Sequence, residues 1–257
     1  MSSSVDLHLL YAVGNAPLAT YPFPHLYVPE ALPREFYDEL LACLPEREAY
    51  APISEVRAVS EIYGRTRFVM PLDAEHVGRL PDAARRPWET ISRALLGGDF
   101  GNMLYYRFQP FLEQRFRNTG PVEFHHEAML VRDMAGYSLG PHTDAQRKVV
   151  SVLFYLPRDA SRAHLGTSIY VPKDRAFTCP GGKHHPYEPF ERVRTMPYVP
   201  NSMFAFIKTP NAFHGVEPVE EGDRSRDLLL YDIFHRTAGA GAAPGASSGG
   251  SGARFTF

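Results

Sequence analysis

Two stretches of this chain carry side chains with the right types and spacing to hold a metal. In "GPHTDAQRKVVSVLFYLP", His142 and Asp144 stand two residues apart, just before an apolar run. Residues i and i+2 of an extended segment point to the same face, so an imidazole nitrogen and a carboxylate oxygen aim at one point. Alone, such a pair is equally the mark of a polar turn in which Asp144 caps nearby backbone N–H groups. The second stretch, "NSMFAFIKTPNAFHGVEPV", places His214 after an apolar strand and before a Gly-Val step.

Two histidines and one carboxylate fill one face of an octahedron and leave the other positions open. This is the ligand set of non-haem iron(II) oxygenases, which must admit both an oxidant and a co-substrate to the metal. An anion anchor is the next requirement. "GDRSRDLLLYDIF" supplies Arg224 and Arg226, ten and twelve residues after His214. Alternation puts both on the face of Leu228 and Leu230, where a buried guanidinium requires a carboxylate, ideally in a bidentate pair. Either a bound ligand or a local acid such as Asp223 or Asp227 meets that requirement.

The elements that must position these residues change character along the chain. Before Glu123 the pattern is mostly helical, with extended segments between. Phe36, Leu40, Leu41 and Leu44 recur at helical spacing after Pro33, a favoured first-turn residue. Trp88, Ile91, Leu95 and Leu96 mark a second helix stopped by Gly97-Gly98, and Gly101 to Arg117 form a third. From Glu123 onward come short β-rich runs: "FHHEAMLVRD", "VVSVLFYLP", "TSIYVP", "SMFAFIK", "FHGVEPV" and "RDLLLYDIF". Proline and glycine separate them, as in an antiparallel sandwich or barrel. Helices first and strands afterwards make an α+β fold. The organisation expected is a helical part over 1–122, a β core over 123–236 and a Gly/Ala/Ser-rich flexible tail over 237–257. The terminal "ARFTF" is expected either to dock or to fray.

In order, spacing and strand context, "GPHTD", then "PNSMFAFIKTPNAFHGVEPV", then "GDRSRDLLLYDI" resembles the HxD…H…R pattern of the 2-oxoglutarate/iron(II)-dependent oxygenases. The resemblance spans roughly Glu123 to Phe234, and "YPFPHLYVPEALPREFYDELLACLP" is similar to the opening of bacterial prolyl-hydroxylase-like members. It implies a double-stranded β-helix, or jelly-roll, with Fe(II) held by His142, Asp144 and His214 at the open end. It also implies that an arginine clamps the distal carboxylate of 2-oxoglutarate. Arg224 suits the common spacing after the distal histidine, and Arg226 suits the register of the strand; the preference goes to Arg226. The implied reaction consumes O2 and 2-oxoglutarate, releases succinate and CO2, and hydroxylates a C–H bond, with ascorbate as a supporting reductant. Halogenating relatives lack the carboxylate that Asp144 supplies here.

Two other readings stand beside this one. A catalytically silent jelly-roll binding module would keep the fold without turnover. A cupin-type metalloenzyme would use no keto acid, but cupins supply more histidines and need no buried arginine. Fold alone does not choose the primary substrate, so a small molecule and a peptidyl side chain both remain open.

Composition narrows the setting. The chain has 257 residues, 44% of them apolar, with 27 basic and 29 acidic side chains interspersed and a net charge of −2. That balance gives no reason to expect nucleic acid or an anionic membrane as a partner. Two cysteines, Cys43 and Cys179, make no CxxC pair and no disulfide framework. No run approaches a membrane span, and "MSSSVDLHLLYAVGNAP" lacks the basic region of a signal peptide, so a soluble cytoplasmic protein is expected. Oligomeric state is not legible.

Several further residues invite a role. Adjacent histidines on a strand point apart, so His125 and His126 make a poor chelating pair. His184 and His185 lie in a "GGKHHPYEPFERV" loop that either covers the metal mouth or is plainly solvated. Arg147 and Lys148 either steer an anionic substrate or solubilise a turn. Tyr137 and Tyr155 default to core packing, as does Trp88.

Overall fold

The computed structural model describes residues 4–56, 64–223, 225–237 and 253–255. Four helices dominate the first half: α1 (Ser4–Asn15), α2 (Arg34–Ala42), α3 (Asp82–Leu96) and α4 (Asp99–Phe116). Helix α4 buries Phe100, Leu104, Phe108, Leu112 and Phe116, an unbroken i, i+4 stripe that can only be covered by packing against a sheet or another helix. Helix α3 buries Trp88, Ile91 and Leu95 on its apolar face, and Trp88 donates its indole N–H to the Cys43 carbonyl at 2.6 Å. Cys43 itself is only half-buried. Between α3 and α4 the chain reverses at Gly98, whose φ of 102° is a left-handed value that glycine adopts without steric cost.

The described residues form thirteen strands, in chain order β1 (Leu18–Ala19), β2 (His25–Val28), β3 (Ala51–Pro52), β4 (Arg67–Pro71), β5 (Val122–Met134), β6 (Leu139–His142), β7 (Lys148–Tyr155), β8 (Thr167–Pro172), β9 (Phe190–Met196), β10 (Ser202–Ile207), β11 (His214–Val216), β12 (Ser225–Thr237) and β13 (Ala253–Phe255). All described pairings are antiparallel. The larger sheet runs β1-β2-β10-β7-β12-β5-β4-β3, with β13 also on β5, and the smaller runs β6-β11-β8-β9. From β5 to β12 the chain crosses repeatedly between the sheets, giving each four core strands. That is the double Greek-key topology of a jelly-roll. The N-terminal segment adds β1 and β2 at one edge of the larger sheet and β3 and β4 at the other.

Three apolar clusters follow from this layering. Between the sheets lie Tyr155, Ile169, Phe204, Phe206, Val216 and Leu228. The outer face of the larger sheet packs against the helices through Trp88, Phe100, Leu104, Phe108, Phe154 and Tyr231. Behind the smaller sheet, Tyr170, Cys179, Phe190 and Phe213 are covered by the connection between β8 and β9. The terminal "ARF" pairs with residues 122–124 of β5.

Candidate metal centre

His142 ends β6 and His214 opens β11, and the two are directly paired across those strands. Their rings lie 4.3 Å apart between centroids. Each Nδ1 sits 3.0 Å from the carbonyl two residues upstream, Gly140 O for His142 and Ala212 O for His214. A carbonyl only accepts, so each Nδ1 must carry the proton and each Nε2 is left as a bare lone pair. Burial, then the field of His214, pushes the pKa of His142 down to about 3; burial also lowers that of His214. Both imidazoles are therefore neutral at pH 7.

Asp144 follows in the turn after β6, with Oδ2 3.9 Å from His214 Nε2. One donor atom from each of His142, Asp144 and His214 falls within 4.8 Å of the others. Burial alone would raise the Asp144 pKa, but Lys148, His214 and His142 and a Ser151 hydrogen bond hold it well below the usual carboxylate range. Ser151 donates to Asp144 Oδ2 at 2.7 Å, and Lys148 Nζ lies 3.2 Å from Oδ1. Lys148 also reaches Asp232 at 3.1 Å. It thus neither steers substrate nor solubilises a turn: it fixes the carboxylate that would bind metal. Arg147 lies over the Phe234 ring instead.

Two lone pairs and a carboxylate oxygen converging in a buried space repel one another, and a divalent cation relieves that repulsion. The nitrogen and oxygen donors suit a first-row metal, and the Nδ1–carbonyl bonds are the outer contacts that orient ligating histidines. The donor set therefore fits Fe(II).

Around this centre the chain is tied down tightly. Thr143, between the two ligands of the HTD turn, points away and donates to the Cys179 carbonyl at 3.0 Å. Buried Lys208 donates to Thr143 Oγ1, Cys179 O and Thr209 O, spending all three N–H groups, and burial pushes its pKa down to about 8. Gly182 N and His185 N donate to Thr143 O and Pro141 O. The "GGKHH" loop therefore runs alongside the metal-bearing segment, with the His184 ring 4.4 Å from that of His142.

Deeper between the sheets, Arg226 is fully buried, as the alternation on β12 requires. Its acid is neither Asp223 nor Asp227. Asp227 pairs with Arg132, while Arg226 Nη1 meets Asp133 Oδ2 at 2.9 Å, Nε meets Leu165 O at 2.5 Å, and Nη2 meets Thr167 Oγ1 at 3.2 Å. Asp133 also takes a bidentate pair from Arg67, at 2.6 and 2.9 Å. Two guanidiniums share one carboxylate, so the cluster carries a net positive charge in a buried place. Arg224 lies outside the described residues.

The other residues weighed fall into the framework. His126 is held between Tyr105 and Tyr231 at 2.5 and 2.9 Å, and His125 stacks on Phe234. Tyr137 is buried in the inter-sheet cluster beneath Arg67, and Tyr155 accepts from Thr167 N. Ser151, Lys208, Asp133 and Arg67 carry no motif that marks them in the sequence.

No protein-family model and no curated protein matches the chain. Among solved structures, a prolyl-4-hydroxylase from Pseudomonas putida is similar over 89% of this chain and 99% of its own, at 17% identity and a TM-score of 0.51. The non-haem alpha-ketoglutarate-dependent carbocyclase SnoK of nogalamycin biosynthesis is similar over the full length of both chains, at 10% identity and a TM-score of 0.51. No helix among the described residues is long and apolar enough to cross a membrane. In architecture, this chain shares the fold of those two proteins.

Proposed function

We propose that this chain is a cytoplasmic Fe(II)- and 2-oxoglutarate-dependent dioxygenase that hydroxylates an unactivated C–H bond of a small molecule or peptidyl side chain. The observation that carries the reading is the convergence of His142 Nε2, His214 Nε2 and an Asp144 oxygen, with both imidazole tautomers set by backbone carbonyls. The chemistry such a metal supplies when bound is oxidative, coupling decarboxylation of 2-oxoglutarate to succinate and CO2 with oxygen transfer to carbon.

The chain's own residues supply placement. His142 and His214 present neutral nitrogens, and Ser151 and Lys148 hold the Asp144 carboxylate in one orientation. The Phe206 ring packs 4.4 Å from that of His214 and keeps water from that side. Arg226, with its charge only partly offset by Asp133, is the group we assign to the distal carboxylate of the keto acid. Ser151 and Tyr155 face the interior from the middle and the last residue of β7, four residues or about 13 Å apart. Leu153 and Leu230 form the one intervening layer of side chains, a gap suited to a five-carbon diacid chelated at one end and clamped at the other.

The test is succinate production from 2-oxoglutarate with Fe(II), O2 and ascorbate. His142→Ala is expected to abolish it, and turnover that survives the substitution overturns the site. Arg226→Gln is expected to weaken 2-oxoglutarate binding tenfold or more, the scale of a lost charge-assisted contact. An Arg226→Gln variant that melts earlier but binds the keto acid as before would leave Arg226 a structural residue, and Arg224→Ala then tests the other candidate.

A further inference from the structure

The ladder row that carries two of the candidate ligands continues across the smaller sheet. His142 on β6 faces His214 on β11, His214 faces Ile169 on β8, and Ile169 faces Arg194 on β9. Directly opposed residues share one face of a sheet. Ile169 packs in the core between the sheets, so Arg194 leaves its strand on the same side as both imidazoles. Two strand spacings separate it from His214, about 10 Å.

Arg194 differs from its charged neighbours. Arg192 pairs with Glu217 and Arg175 with Glu191, as exposed arginines commonly do. Arg194 is exposed and has no carboxylate partner among the described residues. Opposite it stands β2, where the charge of Arg194 is felt by both His25 and Tyr27. Burial, helped by that charge, keeps His25 neutral. An aromatic wall runs from there to the candidate ligands: His25 lies 5.8 Å from Phe204, Phe204 5.1 Å from Phe206, and Phe206 4.4 Å from His214. An aromatic wall with a candidate metal at one end and an unpaired guanidinium at the other suits an elongated ligand. A guanidinium fork is matched by the two oxygens of a carboxylate or phosphate.

We propose that Arg194 binds an anionic group, carboxylate or phosphate, of the primary substrate, two strands across the smaller sheet from the carbon presented to the His142–Asp144–His214 centre. This rests on the dioxygenase reading and deepens it. The keto acid would be held by a different arginine, Arg226, on the other sheet.

The experiment measures binding rather than turnover. The full-length protein is loaded with Zn(II) and saturating 2-oxoglutarate, so that the keto-acid site is filled, and titrated by calorimetry with 3-phenylpropionate, phenyl phosphate and the neutral 3-phenylpropionamide. Wild type is expected to prefer an anionic probe to the amide. Arg194→Gln is expected to weaken that probe about tenfold or more and leave the amide unchanged, and Arg194→Lys to restore part of the loss. The tighter of the two anions identifies the source as carboxylate or phosphate. No anionic binding, no preference over the amide, or affinity indifferent to Arg194→Gln overturns the proposal. Succinate formation, assayed separately, reports on the dioxygenase reading; its loss in wild type would overturn that reading, whereas an Arg194-independent probe with succinate formation intact overturns the anion site alone.

Discussion

Ser151 touches no candidate metal position, yet it determines where one oxygen of Asp144 points. Its hydroxyl donates to Oδ2 at 2.7 Å, while Lys148 takes Oδ1. Removing an outer partner of a metal-binding carboxylate typically costs about 10–100-fold in affinity. Ser151→Ala should therefore weaken metal binding at least tenfold, read by titration with Fe(II) or Co(II), while the circular dichroism spectrum stays unchanged. Equal affinity would show that Lys148 alone positions the carboxylate. The three candidate ligands were legible in the sequence through residue type and order along the chain, although Asp144 stands in the turn beyond β6 and not on an extended strand with His142. Ser151 was not, because a serine in "VVSVLF" has no local mark. Its partner is set by the path of a turn, just as that of Arg226 is set by the register between β12 and β5. Sequence alternation turned Arg226 inward but could not show that Asp133, 93 residues away, waits there.

Strand pairing is what brings the two imidazoles together, and it depends on a glycine. A Cβ on Gly215 would lie 2.4 Å from the Leu139 carbonyl oxygen and 3.2 Å from the Gly140 carbonyl. These are backbone atoms, which cannot swing away as a side-chain tip does. Gly215→Ala must push β11 off β6 next to the His142–His214 pair. Overpacking of this kind costs about 1–3 kcal/mol, so we expect a lower melting temperature together with lost metal affinity. A variant that melts early but still binds metal normally would show that the centre tolerates a wider gap between the strands. Legibility at this scale followed contrast in burial. Strands β7, β8 and β10 are almost wholly buried and stand out as apolar runs. Strand β9 was missed because Glu191, Arg192, Val193 and Arg194 are all exposed. Helix α1 was also missed: it buries Val5, Leu9 and Val13 but exposes Leu7 and Tyr11, and those apolar residues blur its period.

For the molecule as a whole, the buried neutral histidines make stability depend on acidity. Burial pushes His126 down to about 4 within its pair of tyrosines, and pushes His142 down to about 3. In the unfolded chain each returns to its ordinary value near 6.5. Between pH 6.5 and about 4 the unfolded state thus binds protons that the folded state refuses, and stability rises with pH across that window. The depressed Asp144 carboxyl works in the same direction, since the unfolded chain again binds the proton more readily, but its window lies lower, below the ordinary carboxylate pKa, and so adds little between pH 7 and 5. Acidifying the metal-free protein from pH 7 to pH 5 should cost about 2 kcal/mol for each such imidazole, measured by urea unfolding at pH 7, 6 and 5. His126 isolates the framework contribution, since it faces helix α4 and the metal centre lies on the other side of the sheet. His126→Gln should lower stability at pH 7 by disrupting the tyrosine contacts and should flatten the pH dependence by one proton. An unchanged slope would mean that His126 is already protonated in the folded protein, with a tyrosine oxygen accepting from each ring nitrogen.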